Sequence, residues 1–336
     1  MTQSSTMRQS KFNSLAIATV LALVVCLAIP AAAQAATLYS WIGGDGNWTD
    51  INPPQGWPTD KPVYATSKMY EISNGATVTM NTSEANAAYQ FNLGDTGDGH
   101  LAITGGDIGL AHFAVGREGG TGSVTQTGGD MIFQGKHVWI GLYGGHGSYT
   151  ISGGRLWGNS GDKKLRVGGS SDASGSGLFK VIGSDAQIRL GQLLISEGET
   201  EGFGPSGTLA FEIDEGGISP IEVYNEVWIN NGTAGTRTLD ISLSALAPET
   251  DLVLIDHVGA GGAVFGTFDG LAEGAPIQAS FGGQTYNWNL SYAYGTNSND
   301  VALVFDSVVP EPSTLVLLGL GLVGLIGCGR SRKRRE

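Results

Sequence analysis

The chain has 336 residues with a formal net charge of −13, and it contains 54 glycines but only two cysteines. Both cysteines, Cys26 and Cys328, lie in apolar stretches near the ends. The segment between these stretches therefore has no disulfide, thiolate metal site or cysteine nucleophile. The two ends hold seven of the 18 basic and two of the 31 acidic residues, which leaves that segment at −18. A surface this acidic repels polyanions and excludes nucleic acid as a partner.

Residues 1–35 have the pattern of a secretory signal peptide. Two basic residues precede an apolar run that covers residues 15–30. Small residues then occupy the positions that a signal peptidase reads, namely Ala33, Ala35 and Ala36. We therefore predict cleavage by signal peptidase after Ala35 and export of the remaining chain.

Residues 36–91 are predicted to form an N-terminal β-rich cap. Trp41, Trp48 and Trp57 fall within seventeen residues of one another. Two interpretations stay open at this point. The flat indole rings suit stacking on the pyranose rings of a glycan. They also suit a hydrophobic plug, because the first coil of a stacked β structure exposes apolar surface that needs covering.

Acidic and amide side chains surround these tryptophans and are of the type that Ca²⁺ prefers. They are Asp45, Asn47, Asp50 and Asp60. Their spacing matches neither an EF-hand nor a repeat-in-toxin loop. The sequence therefore predicts no metal and no cofactor.

Residues 92–200 contain a repeat. The Gly-Gly-Asp of 105–107 returns at 128–130, becomes Gly-Gly-Arg at 153–155 and is weaker, as Gly-Ser-Asp, at 183–185. The intervals are 23, 25 and 30 residues. Each copy follows a glycine-led strand and precedes a short strand that ends in glycine or serine, at 113–116, 138–141, 165–168 and 193–196.

Each repeat unit is too small to bury a core alone, but stacked units bury their inward side chains in one continuous column. Coils of 23–30 residues suit a β-solenoid, so we predict an all-β chain with four or five coils, as a right-handed parallel β-helix. A glycine-rich β-sandwich is the alternative. The repeat resembles the glycine-rich β-strand repeats in the passenger regions of autotransporters.

Residues 201–308 lack the repeat but keep the alternation of apolar and polar residues that is typical of strands. They are predicted to form a C-terminal β-rich domain, either as continued solenoid or as a small sandwich. Residues 307–309 are predicted to be a very short linker to the last segment.

Residues 309–336 combine three features. Val309, Pro310, Glu311, Pro312 and Ser313 come first, and the two prolines keep this motif extended and accessible. The apolar run 314–329 would span about 24 Å as a helix at ~1.5 Å per residue, which is short for a hydrocarbon core of ~30 Å. Basic residues that stay on the cytoplasmic side close the chain: Arg330, Arg332, Lys333, Arg334 and Arg335.

This order of features resembles the PEP-CTERM sorting signal of Gram-negative bacteria. In that family the tail is recognised by exosortase, a membrane-bound transpeptidase-like protease, and the host typically makes exopolysaccharide. The resemblance implies signal peptidase and exosortase as partners, with transient membrane anchoring through the C-terminal helix. It also implies delivery to the cell envelope, cell surface or extracellular matrix, where exopolysaccharide is an expected associate.

The repeat offers one pair of carboxylates for catalysis. Asp107 and Asp130 occupy equivalent turn positions and should lie about 5 Å apart on adjacent coils, as glycoside hydrolysis requires. Arg155 follows on the same row and should form an ion pair there, and Asp is an ordinary turn residue. We therefore predict a non-catalytic structural or adhesive protein. The alternatives are a polysaccharide lyase or hydrolase on a β-helix, and a carbohydrate-binding protein that uses the N-terminal tryptophans.

Overall fold

The computed structural model describes most of the chain between residues 37 and 310. The described ranges are 37–51, 56–58, 62, 68–158, 161–169, 175–196, 204–229, 235–259 and 262–310. Within these ranges the chain is all β, with no helix. It follows that the described ranges contain no helix with the length and apolar character needed to cross a membrane. The predicted signal peptide and residues 311–336 lie outside the described residues.

The strands form two sheets, a larger one that we call the first sheet and a smaller one that we call the second sheet. The second sheet contains β2 (Gly46–Asn47), β4 (Thr77–Met80), β6 (Asp98–Ile103), β8 (Thr121–Gln126), β10 (His146–Ile151), β13 (Ser176–Ile182), β16 (Ser206–Ile213) and β19 (Arg237–Leu243). The first sheet contains β1 (Thr37–Ser40), β3 (Lys68–Ile72), β5 (Glu84–Leu93), β7 (Asp107–Arg117), β9 (Asp130–Leu142), β11 (Gly154–Gly158), β12 (Lys164–Val167), β14 (Ala186–Leu190), β15 (Gln192–Ile195), β17 (Ile221–Val223), β18 (Val227–Trp228), β20 (Leu252–His257), β21 (Val264–Phe265), β22 (Pro276–Phe281), β23 (Gln284–Tyr294) and β24 (Asp300–Pro310).

Between β2 and β19 the chain passes back and forth between the sheets, and the strands of one coil pair in parallel with those of the coils before and after it. The second sheet has the order β19-β16-β13-β10-β8-β6-β4-β2, and the pairings along it are parallel. In the first sheet, β3, β5, β7 and β9 follow one another in the same way. This is a β-helix-like arrangement, in which every turn of the chain adds strands to both sheets.

The core is a set of columns that run from coil to coil. In the second sheet, Leu101, Val124, Tyr149, Phe179 and Leu209 are register partners in series, and none is more than 1% exposed. Removing such side chains from water stabilises the fold by roughly 25 cal/mol per Å² of apolar surface. No single coil could bury these residues on both sides, so the stack is the unit of stability.

The predicted Gly-Gly turns form one corner of the stack. Gly106 has a left-handed φ of 68°, and Gly129, Gly154 and Gly183 repeat that conformation in the next coils. A Cβ built on Gly106 would lie 2.2 Å from the carbonyl carbon of Thr82 in the preceding coil. Glycine is needed here both for its backbone conformation and for the close approach of two backbones.

Parallel pairing extends beyond the predicted repeat in both directions. It begins with β2 and β4, before residue 92, and continues past residue 200 through β16 with β19 and β18 with β21. The sequence left two structures open for 201–308. Continued stacking describes this part up to β21, and an antiparallel set of β22, β23 and β24 follows.

The linker prediction for residues 307–309 is wrong. These residues lie in β24, where Val308 pairs with Tyr286 and Val309 with Thr285. Asn287, on the same strand β23, pairs with Ser307. The antiparallel pairing of β23 with β24 therefore extends to Pro310, and residues 307–309 belong to the first sheet.

Candidate functional site

The three N-terminal tryptophans are buried in the described structure. Trp41, Trp48 and Trp57 are 3%, 1% and 0% exposed. Trp57 meets the other two edge to face, at centroid distances of 5.2 and 5.5 Å, and its Nε1 donates to the Trp48 carbonyl at 3.0 Å. Their rings have no free face on which a pyranose could stack. This burial contradicts the hypothesis that these three tryptophans bind a glycan. Their contacts are those of packing residues.

Two acidic residues near these tryptophans accept hydrogen bonds from the backbone. The Asp45 carboxylate accepts the Thr77 backbone N–H at 2.7 Å, and Asp50 accepts the Asn47 N–H at 2.7 Å. Asp60 lies outside the described residues. In the described part of the chain, no three His, Cys, Asp or Glu side chains come together in a group that could hold a metal ion.

The predicted row of charged side chains is present. Asp107 pairs in register with Asp130, and Asp130 with Arg155. Arg155 donates to both carboxylate oxygens of Asp130, with Nε to Oδ1 at 2.8 Å, which confirms the predicted ion pair. This bond to the guanidinium holds the pKa of Asp130 below its usual value, so the carboxylate stays ionised and is a poor general acid.

The ring of Trp157 lies beside this ion pair and is covered. The guanidinium of Arg155 is 5.7 Å from the ring centroid and that of Arg189 is 4.7 Å from it. Both distances are within the range of cation–π contacts. A small cleft of about 260 Å³ is lined by Asp130, Ile132, Arg155 and Trp157, and three of these four side chains already contact one another through Arg155.

A larger cleft lies on the outer face of the first sheet. Successive residues of a strand point to opposite faces, so the partners of an outward residue form a column on the outside. One such column runs from Asn92 through Ala114 to Trp139, on β5, β7 and β9. Ala114 contributes only a methyl group between an amide and an indole, which leaves a gap. The resulting aromatic cleft has a volume of about 310 Å³ and is lined by Tyr89, Gln90, Asn92, His112, Ala114, Arg117, Trp139, Leu142 and Tyr143.

Aromatic rings line one end of the aromatic cleft. The His112 and Trp139 rings are nearly parallel, at 17° with centroids 6.0 Å apart. Tyr89 meets His112 edge to face at 5.0 Å. Burial lowers the pKa of His112 below its ordinary value, so its imidazole is neutral near pH 7. The aromatic end therefore offers flat ring faces without a fixed charge.

Arg117 lies at the end of β7 and is already paired. Its Nη1 is 2.9 Å from Asp95 Oδ1 and its Nη2 is 2.5 Å from Glu118 Oε1. The guanidinium also lies over the Tyr143 ring, 5.5 Å from its centroid. Two carboxylates thus pair with the one positive charge at this end of the cleft.

Two hydrogen-bond donors of the cleft are unused. Asn92 is 1% exposed, and its Nδ2 has no acceptor among the residues that the structure describes. The same holds for Trp139 Nε1. A buried donor without a partner costs about 1–3 kcal/mol, and buried polar groups are therefore nearly always paired. Both residues line the cleft, and their two donor atoms are themselves buried.

Sequence reasoning missed this cleft. Phe113 and Val138 were recognised as strand residues, and both are buried in the core. Their neighbours Ala114 and Trp139 must then point outward. The alternation of inward and outward side chains along each strand was therefore enough to predict that these two residues share the outer face.

The comparisons with known proteins identify one segment. Residues 308–334 match the family model of the PEP-CTERM protein-sorting motif. No curated protein and no solved structure matches the chain. Of the predicted recognition residues, Val309 and Pro310 lie in β24, whereas Glu311, Pro312, Ser313 and the basic tail lie outside the described residues, as do Ala33, Ala35 and Ala36. The motif implies processing by exosortase and indicates an exported protein that is sorted to the cell envelope or surface.

Proposed function

We propose that this protein is a non-catalytic structural or adhesive component of the cell envelope or extracellular matrix, delivered by the exosortase route. The observation that carries the proposal is the sorting motif at 308–334, which begins within strand β24 of a β-helix-like body. A rigid stack attached without a linker to a sorting signal suits a surface scaffold.

Four finer statements belong to this proposal. Signal peptidase cleaves after Ala35, and the run 314–329 anchors the chain as a transient membrane helix until exosortase acts. The β-helix-like body is a right-handed parallel solenoid, as crossover connections between parallel strands nearly always are. Its glycine-rich coils belong with those of autotransporter passenger regions, a view supported by the glycine corner at Gly106 and its equivalents.

The charged pairs between coils support a scaffold rather than an active site. Lys180 pairs with Glu212 at 2.6 Å and Arg189 with Glu222 at 2.5 Å, each across neighbouring coils. Exposed pairs of this kind contribute about 0–1 kcal/mol each. Of the carboxylate pair that a hydrolase would need, Asp130 is tied to Arg155 instead. A lyase or hydrolase remains the second class to test, through release of unsaturated or reducing ends from polysaccharide.

The test is fractionation of the native host with an antibody against residues 36–309, with and without exosortase. We expect the processed protein at the surface or in the matrix of the wild type, and the unprocessed chain in the membrane fraction without exosortase. Replacing Pro310, Glu311 and Pro312 by alanine should give the same membrane-retained form. Unchanged surface delivery in the exosortase-deficient host or of the alanine variant would overturn the proposal.

A further inference from the structure

We propose that the aromatic cleft binds an uncharged saccharide segment, with Trp139 as the platform on which a sugar ring stacks. The inference rests on the proposed function, because an exported chain is one that meets cell-surface glycans. It gives that protein a ligand class and a binding site.

The shape of the aromatic cleft fits one end of a glycan. Small-molecule sites usually occupy ~300–1,000 Å³, and this cleft, at about 310 Å³, lies at the lower end of that range. Its floor is the methyl group of Ala114, which lies in register between Asn92 and Trp139. A flat apolar ring beside a small floor suits the C–H face of a pyranose.

The polar groups fit hydroxyl groups. Asn92 Nδ2 and Trp139 Nε1 are donors without an acceptor in the described structure, and they come from strands two coils apart. A sugar hydroxyl or ring oxygen accepts such bonds, and a hydroxyl can also donate. Both residues line the cleft, and a ligand oxygen that reached either donor would remove the cost of leaving it unsatisfied, which favours a polyhydroxylated ligand.

The charges favour a neutral ligand over a uronic acid. Arg117 is the only permanently charged residue among the described lining residues, and both Asp95 and Glu118 already pair with it. A carboxylate ligand would have to compete with two carboxylates of the protein. The central segment of the chain carries a net charge of −18, which repels polyanions at longer range.

Two other outward tryptophans lie outside the aromatic cleft. The ring of Trp157 has guanidinium groups over it, and Trp228 stacks on Phe265 at 4.2 Å. Trp228 nevertheless lies in the same register column as Trp139, through Arg166 and Leu194. It is therefore a matched control, since it shares the residue type, the sheet face and the column but not the cleft.

The experiment uses the full-length chain in a mild detergent. Binding is measured by calorimetry and tryptophan fluorescence, first on an array of neutral oligosaccharides and then with the tightest neutral hexasaccharide against hexagalacturonate. Two variants damage the cleft in different ways. Trp139→Ala removes the platform, and Ala114→Leu fills the gap while keeping the indole. Trp228→Ala is the control, and circular dichroism checks that each variant is folded.

We expect saturable binding of a neutral oligosaccharide, weakened about three- to tenfold by Trp139→Ala and at least as much by Ala114→Leu. Trp228→Ala should bind like the wild type, and hexagalacturonate should bind more weakly than the neutral hexasaccharide. Lack of binding to every neutral oligosaccharide, equal loss in the Trp228→Ala control, or tighter binding of hexagalacturonate would overturn the inference. Binding in vitro is separate from sorting: surface delivery without binding refutes the ligand alone, and binding without surface delivery refutes the proposed function alone.

Discussion

Two neighbouring glycines in the first Gly-Gly turn give a direct test of the stacked fold. Gly106 has a left-handed φ of 68°, and a Cβ there would lie 2.2 Å from the carbonyl carbon of Thr82 and 2.7 Å from the backbone nitrogen of Ser83. A Cβ on Gly105 would approach nothing closer than the Asn81 carbonyl oxygen at 3.6 Å, which is an ordinary contact. The two alanine variants differ in little else.

The expected difference follows from two terms. An L-residue in the left-handed region costs roughly 1–2 kcal/mol, and overpacking a tight site typically costs about 1–3 kcal/mol. The atoms that Gly106→Ala would strike belong to the backbone of the preceding coil, so they cannot turn aside. We expect Gly106→Ala to lower the free energy of unfolding by about 2–5 kcal/mol. Gly105→Ala should change it little, or raise it by ~0.4–1 kcal/mol through a less flexible unfolded chain.

The assay combines urea unfolding of the full-length variants with hydrogen exchange. Stacked coils do not always unfold in one step, so the urea midpoint alone does not locate the damage. Faster exchange in β5 and β7 of the Gly106→Ala protein would locate it at the predicted corner. Equal midpoints for the two variants, or greater damage from Gly105→Ala, would refute the stacking of these coils through a glycine corner.

Two further predictions concern pH and processing. Burial lowers the pKa of His112 below its ordinary value of 6.5. The unfolded chain then binds more protons than the folded chain below about pH 6.5, so protonation of His112 destabilises the fold as the pH falls below that value and has no effect well above it. His112→Gln should therefore flatten the plot of urea midpoint against pH in this range. An unchanged slope would contradict this prediction. The pairing of β23 with β24 holds the start of the sorting motif in a sheet. A flexible six-residue insertion between Ser307 and Val308 should therefore speed C-terminal processing by exosortase, measured by pulse-chase labelling. Slower or equal processing would show that the strand pairing does not hinder exosortase.

The corners and the charged row were predictable because each depends on spacing along the chain. The interval between Asp107 and Asp130 is the repeat length, and Arg155 follows one repeat later, so their register follows once the coils are known to stack. The pairing of Val308 and Val309 was not predictable in the same way. A proline motif favours an extended segment, but an extended segment is also what an antiparallel partner such as β23 requires.

The aromatic cleft depends on a change of register inside one coil. Asp107 is 23 residues before its partner Asp130, whereas His112 is 25 residues before its partner His137, and the shift falls between Leu110 and His112. Counting by the Gly-Gly interval would therefore place the wrong residues opposite one another beyond Leu110. The mark of the two extra residues is the second spacing, because the short strands 113–116 and 138–141 lie 25 residues apart and thereby align Ala114 with Trp139.

Coil length explains why the cleft lies among the early coils. Cross-coil partners are 23 residues apart at His100 and Ser123 but 30 apart at His146 and Ser176, although the inward columns stay in register. The additional residues must therefore leave the sheets. Residues of the segment between β11 and β12 reach the turn after β17, where Asn225 Nδ2 donates to the Gly161 carbonyl at 2.9 Å, 64 residues away. Such a loop crosses the intervening coil, whereas β7 and β9 are continuous at the same place. The short coils of β7 and β9 thus contribute no such loop of their own across the column of Ala114 and Trp139, where we propose the saccharide site.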